Sequence, residues 1–243
     1  MKSRSIVAVF ILVFLLNLVQ LSAVAQTEKA IIEEMFKALG GKEVLSGIKD
    51  TRMSGTLELI QYGMSGSLTM YLKEPNKFRM DIEVMGMTIT MVYDGEKAMG
   101  TNPQTGEIME LPPDQAKLFS RQGLGFQSII YPEKFGITYV YRGVEEIDGK
   151  KYHILEQKFQ DGDVITNYLD ASTFLTYKTK IKALSPSGAE VESETIYSDY
   201  KMVNGVMTAF SMTQYQAGVE SGRITFNEVV YNSGLDDTLF VLK

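Results

Sequence analysis

One histidine, His153, and no cysteine are available to this 243-residue chain for nucleophilic or metal chemistry. A Ser-His-Asp relay would have to use His153, which sits between Tyr152 and Ile154 in a stretch patterned as a strand. No Gly-x-Ser-x-Gly elbow exists to expose a nucleophilic serine. Thiol chemistry is excluded, and most zinc and copper sites with it, because those metals take imidazole and thiolate ligands. Asp161-Gly162-Asp163 offers oxygen atoms to calcium but lacks the further acidic positions of a calcium loop, and reads better as a hairpin turn. Glu190, Glu192 and Glu194 alternate with Val191, Ser193 and Thr195, an acidic stripe that could do general acid or base work and by default is solvated. Gly63-Met64-Ser65-Gly66 and Gly123-Leu124-Gly125 lack the strand-to-helix setting of a phosphate loop. The chain is therefore not expected to be an enzyme, and no cofactor or metal is called for.

The strongest pattern is apolar. From Lys77 to Glu83 every even position is apolar and every odd one charged, which makes a strand with one dry face carrying Phe78, Met80, Ile82 and Val84. After Met85-Gly86, Met87, Ile89, Met91 and Tyr93 alternate with Thr88, Thr90 and Val92 up to the hairpin signal Asp94-Gly95. Upstream, Leu68, Met70 and Leu72 alternate with Thr69 and Tyr71 and stop at Glu74-Pro75-Asn76, where proline removes a ladder donor and starts a turn. Three adjacent strands thus present one wall, with Arg79, Asp81 and Glu83 on the wet side. Such a wall is either solid core or the lining of a cavity. Eight of the fourteen methionines fall between Met53 and Met99, and this flexible, polarizable side chain suits a surface that repacks around varied apolar ligands. The expected lining is Leu68, Met70, Phe78, Met80, Ile82, Val84, Met87, Ile89 and Met91.

Around the wall, an amphipathic helix is expected over Glu28–Leu39, capped by Thr27 and stopped at Gly40-Gly41, with a shorter helix over Glu43–Ile48. A strand follows over Thr51–Tyr62. Beyond Asn102-Pro103, Pro112-Pro113-Asp114 opens a helix over Gln115–Arg121. The glycine-flanked Phe126, Ile129 and Ile130 then form an apolar cluster suited to a lid. The second half reads as a meander of strands from Ile137 to Tyr231 with polar turns, among them Asp148-Gly149, Asp161-Gly162 and Ser185–Gly188. The class is β-rich α+β, an antiparallel sheet that curls or closes.

Lys2 and Arg4, the apolar run Ile6–Leu16 and Ala23-Val24-Ala25 form a signal-peptide pattern ending at residue 25. Its removal leaves residues 26–243 as a single domain, with 22 basic against 30 acidic residues. That balance disfavours nucleic acid and anionic headgroups as partners. An exported domain without cysteine is held by packing alone.

In order along the chain, Gly66-Ser67-Leu68, Lys73, Pro75-Asn76, Phe78, Asp94-Gly95, Asn102-Pro103, the following helical segment, Leu235-Asp236-Asp237 and Phe240 resemble the LolA-like family of lipoprotein carriers and outer-membrane lipoprotein-sorting proteins. The resemblance implies an incomplete antiparallel β-barrel (a half-barrel) covered by a few helices. It further implies a soluble periplasmic chaperone that shields lipoprotein acyl chains or other lipid in an apolar cavity during transport, meeting inner- and outer-membrane transfer proteins. In that family an arginine precedes the proline of the turn and helps to hold and release the lid. Here the position is Glu74, so that role does not carry over. The alternative is a structural or interaction protein of the cell envelope that uses the same fold with a filled core.

Overall fold

A computed structural model describes residues 28–184 and 190–242; the leader expected at 1–25, the cap expected at Thr27 and the turn expected at 185–188 lie outside them. The described helix 28–39 (α1) and Lys42–Ser46 (α2) precede the strands β1 (Asp50–Leu59), β2 (Met64–Lys73), β3 (Lys77–Val84), β4 (Met87–Tyr93), β5 (Ala98–Thr101) and β6 (Ile108–Glu110). Helices α3 (Pro113–Gln122) and α4 (Phe126–Ile130) come next. The strands β7 (Ile137–Ile147), β8 (Lys150–Phe159), β9 (Val164–Asp170), β10 (Thr176–Leu184), β11 (Glu190–Val203), β12 (Val206–Gln216) and β13 (Val219–Tyr231) complete the chain.

All thirteen strands form one antiparallel sheet in the order β6-β5-β4-β3-β2-β1-β13-β12-β11-β10-β9-β8-β7. Two meanders are therefore joined back to back by the pairing of β1 with β13. The sheet is not closed: β6 and β7 are its edges, and the helical segment between them crosses the gap. The fold is an incomplete antiparallel β-barrel with a few helices. Turn chemistry sets the hairpins. Asp148 and Gly149 both have positive φ, as do Asn204 and Gly205, the backbone that two-residue hairpins require. Asp94 Oδ1 accepts from the backbone of Glu96 and Lys97, each at 2.8 Å. Strand β11 runs through Asp199, which has φ 53°, to Val203, and its pairing with β12 keeps one register on both sides of that residue.

Helix α1 joins the two halves of the inner face. Phe36 packs with Leu57, Leu68, Ile224 and Phe226, while Ile31 and Met35 pack with Ile137, Leu155 and Leu169. Helix α3 ties the gap. Phe119 stacks on Phe78 of β3 with ring centroids 5.9 Å apart. On its other side Lys117 pairs with Asp163 at 2.8 Å, and Arg121 pairs with Asp161 and lies 3.8 Å from the Phe159 ring centroid.

The outer face of β3 is less wet than its charge alternation implies. The C-terminal turn, Asp237–Phe240, lies on it: Asp237 bridges Lys73 and Lys77 at 3.0 and 2.8 Å, Arg79 donates to the Leu239 carbonyl at 2.9 Å, and Phe240 is fully buried. Beneath it Arg79 pairs with Asp81, which accepts from Thr90 Oγ1 at 2.8 Å, and Val92 is buried.

Candidate functional site

The residues expected to form the wall are brought together in one register. Met70, Met80 and Met91 lie opposite one another across β2, β3 and β4; so do Leu68, Ile82 and Ile89; Val84 faces Met87. This is the inner face, on which the helices pack. Leu68, Phe78 and Val84 are buried, while Met70, Met80 and Ile82 pack partly buried on the cluster around Leu68 and Ile130. Met87 is different: it stands at the turn end of the β3–β4 hairpin and is 44% exposed.

The cavity lies at the opposite end of these strands, under the β2–β3 turn, with a volume of about 180 Å³. Its apolar lining comes from Met53 of β1, Leu72 of β2, Tyr231 of β13, and Leu124, Phe126 and Ile129 of the α3–α4 segment. Two of the three residues expected to form a lid, Phe126 and Ile129, line it, and Ile130 is buried in the main core beside them. None of the nine wall residues is among its lining. An engineered cavity of about 150 Å³ holds one benzene ring, so the space as it stands takes only a short stretch of an acyl chain.

Three side chains that carry charge at neutral pH when ionised reach this cavity, Asp50, Lys73 and Glu74, besides the Tyr231 phenol, which bonds to Thr208. The Asp50 carboxylate is engaged by the chain after β13, accepting from Ser233 N at 2.7 Å, Ser233 Oγ at 2.8 Å and Gly234 N at 3.1 Å. Lys73 donates to the Leu235 carbonyl at 2.8 Å and pairs with Asp237. Glu74 is held loosely, with the Gln127 backbone N–H 3.4 Å from each of its oxygens. Burial pushes its carboxyl up to about 7, against the smaller opposing pull of the Phe126 and Gln127 backbone donors.

The glycines before α4 have a steric cause. A Cβ on Gly125 would collide with the Glu74 carboxyl, and one on Gly123 would lie 2.7 Å from the Asn76 carbonyl oxygen. The α3–α4 link is pressed onto the β2–β3 turn, and neither glycine has a left-handed backbone. Asp50, Met53 and Tyr231 escaped sequence reasoning as site residues. Met53 could have been found from the alternation of β1, but what places Tyr231 there is the β1–β13 pairing, a contact between distant parts of the chain.

The groups first weighed for chemistry lie elsewhere. His153 Nδ1 is 2.8 Å from the Tyr141 hydroxyl and its ring stacks on Phe174, and burial lowers its pKa. Asp161 and Asp163 are paired with Lys117 and Arg121. Glu192 and Glu194 are matched across β10 by Lys178 and Lys180, so that stripe is an ion-pair lattice. The Glu190 side chain is outside the described ones.

The sequence matches no family model and no curated protein. Among solved structures the chain is similar to a DUF1329 family protein from Desulfovibrio piger, at 15% identity and a TM-score of 0.61 over 88% of this chain and 97% of that one. It is similar to a protein from Vibrio parahaemolyticus provisionally described as an outer membrane lipoprotein-sorting protein domain, at 14% identity and 0.57 over 90% and 94%. A LolA superfamily protein from Nitrosomonas europaea matches at 13% identity and 0.56 over 88% and 97%. These likenesses establish the fold as LolA-like.

Proposed function

We propose that the chain is a periplasmic carrier, exported by residues 1–25 and working as one domain over 26–243, that holds lipoprotein acyl chains or other lipid on the inner face of its half-barrel. The observation that carries this reading is the placing of α4. Phe126 and Ile129 line the cavity while the methionine wall packs against the same buried cluster as Ile130. A five-residue helix has almost no stability of its own and is held by packing. Displacing it costs mainly its apolar contacts, which an incoming acyl chain replaces at about 0.8 kcal/mol per buried CH₂. With α4 moved aside, the cavity extends along Leu72 towards Met70, Met80, Ile82 and Met91, and the wall becomes lining. The lipid would then pass between inner- and outer-membrane transfer proteins.

Ile82→Glu places a carboxylate on that lining, where it either stays charged at high cost or admits water. Binding of a fluorescent fatty acid should fall at least about tenfold in a variant that still melts cooperatively, while Glu83→Gln on the other face leaves it near the parent's. A folded Ile82→Glu variant that binds as the parent does contradicts the reading. The complete burial of Leu68 and Phe78 favours the alternative, an envelope interaction protein with a filled core, for which both variants bind no lipid and differ only in stability.

A further inference from the structure

Glu74 sets the chemistry at the polar end of the cavity. Of the two carboxyls and one ammonium there, Asp50 and Lys73 have their capacity taken by the C-terminal segment. The Glu74 carboxylate has two long backbone contacts and, among the described residues, no cationic partner. It faces a space whose wall is mostly apolar, with Met53, Leu72, Leu124, Phe126 and Ile129 beside Tyr231 and the single hydroxyl of Thr51. A carboxylate so placed, half-buried against apolar side chains, has lone pairs to spare.

We propose that this cavity selects amphiphiles with a cationic, hydrogen-bond-donating head, a primary alkylamine being the simplest, with the ammonium on the Glu74 carboxylate and the chain running over Leu72 and Phe126. This deepens the carrier reading above and rests on it. An ammonium supplies the counter-charge that the half-buried carboxyl lacks among the described residues, and so favours its charged form against the desolvation that raises its pKa. A carboxylate head would instead bring a like charge against Glu74, which low-dielectric surroundings disfavour. Pairing also draws Glu74 away from the Gln127 N–H, so the arriving head loosens the contact that ties α4 to the β2–β3 turn.

The test is calorimetric titration of the full mature chain, stripped of lipid, with dodecylamine and with dodecanoate at pH 8, below micelle-forming concentrations. Dodecylamine should bind at least about tenfold more tightly, as expected for a charge-assisted contact against a like-charge one. Glu74→Gln should bring the two within about threefold of each other, whereas Glu83→Gln, which removes the same charge from the outer face, keeps the preference. At pH 7 dodecylamine binding to the parent should release protons, seen as a dependence of the measured heat on the buffer's ionisation; this readout needs no variant. Equal binding of the two ligands, a preference that survives Glu74→Gln, or absent proton release overturns the headgroup assignment and leaves the carrier reading standing. Failure of both ligands to bind the parent overturns both.

Discussion

Glu74 is the residue at which two opposing demands meet. Its carboxyl is placed where an apolar cavity favours the neutral form, yet its oxygens face the Gln127 N–H, which favours the charged one. Burial wins, and the carboxyl titrates near 7 in the folded protein against about 4.5 when exposed. Between those values the folded state binds the extra proton, so stability falls as pH rises from about 5 to about 7. The opposite slope belongs to Asp161, Asp170, Glu156 and Glu194, whose pKa values are lowered by ion pairs and hydrogen bonds. Their contribution is lost below their ordinary range, at more acid pH. His153, whose pKa is lowered by burial, gives a rise with pH up to its ordinary 6.5 and partly masks the Glu74 effect. The difference between parent and Glu74→Gln isolates it. Urea unfolding at pH 5 and pH 8 should show Glu74→Gln gaining stability relative to the parent at the higher pH. An unchanged difference across that range would place Glu74 in water rather than in the cavity.

At the scale of elements, α3 is the part that spans the open side of the barrel. Arg121, 18% exposed at its side chain, joins the Asp161 and Asp163 carboxylates to the face of Phe159. Arg121→Ala should cost about 1–2 kcal/mol in urea unfolding, less than a fully buried pair because both aspartates keep some hydration. It should also raise the uptake of an apolar fluorescent probe, since α3 leads directly into α4. A loss below about 0.5 kcal/mol, the scale of an ordinary surface substitution, would show that Arg121 does not hold the gap and that Phe119 and Lys117 do.

The legible and illegible parts of these elements differ in range. The alternations that define β2, β3 and β4 are local, and they specified the shared inner face because a slip of one residue would bury Arg79, Asp81 and Glu83. The helix over 28–39 was likewise written in its own spacing. The cover over the outer face was not: Arg79 meets Leu239 across 160 positions, and no local period encodes that. The glycines at 123 and 125 are readable as chain breaks, but their cause is the close approach of a turn some fifty residues earlier. The cavity itself is built from β1, β2, β13 and the α3–α4 segment, so its position emerged only from the strand order.

For the whole molecule, an open thirteen-stranded sheet with its helices on the inner face has to fill the space it encloses. Here that space is filled partly by α4 and partly left as a cavity of about 180 Å³, which is smaller than the usual range of roughly 300–1,000 Å³ for ligand pockets. A carrier on this frame must exchange its own apolar side chains for those of its cargo, and an excess of acidic over basic residues keeps the loaded protein off anionic headgroups by charge repulsion. The most direct measurement is mass spectrometry of organic extracts from protein purified after export, without detergent and without added lipid. The carrier account predicts acyl-bearing amphiphile at close to one per protein, lost in a folded Ile82→Glu variant. Clean extracts from well-folded parent protein, together with no uptake after incubation with lipid vesicles, would contradict it.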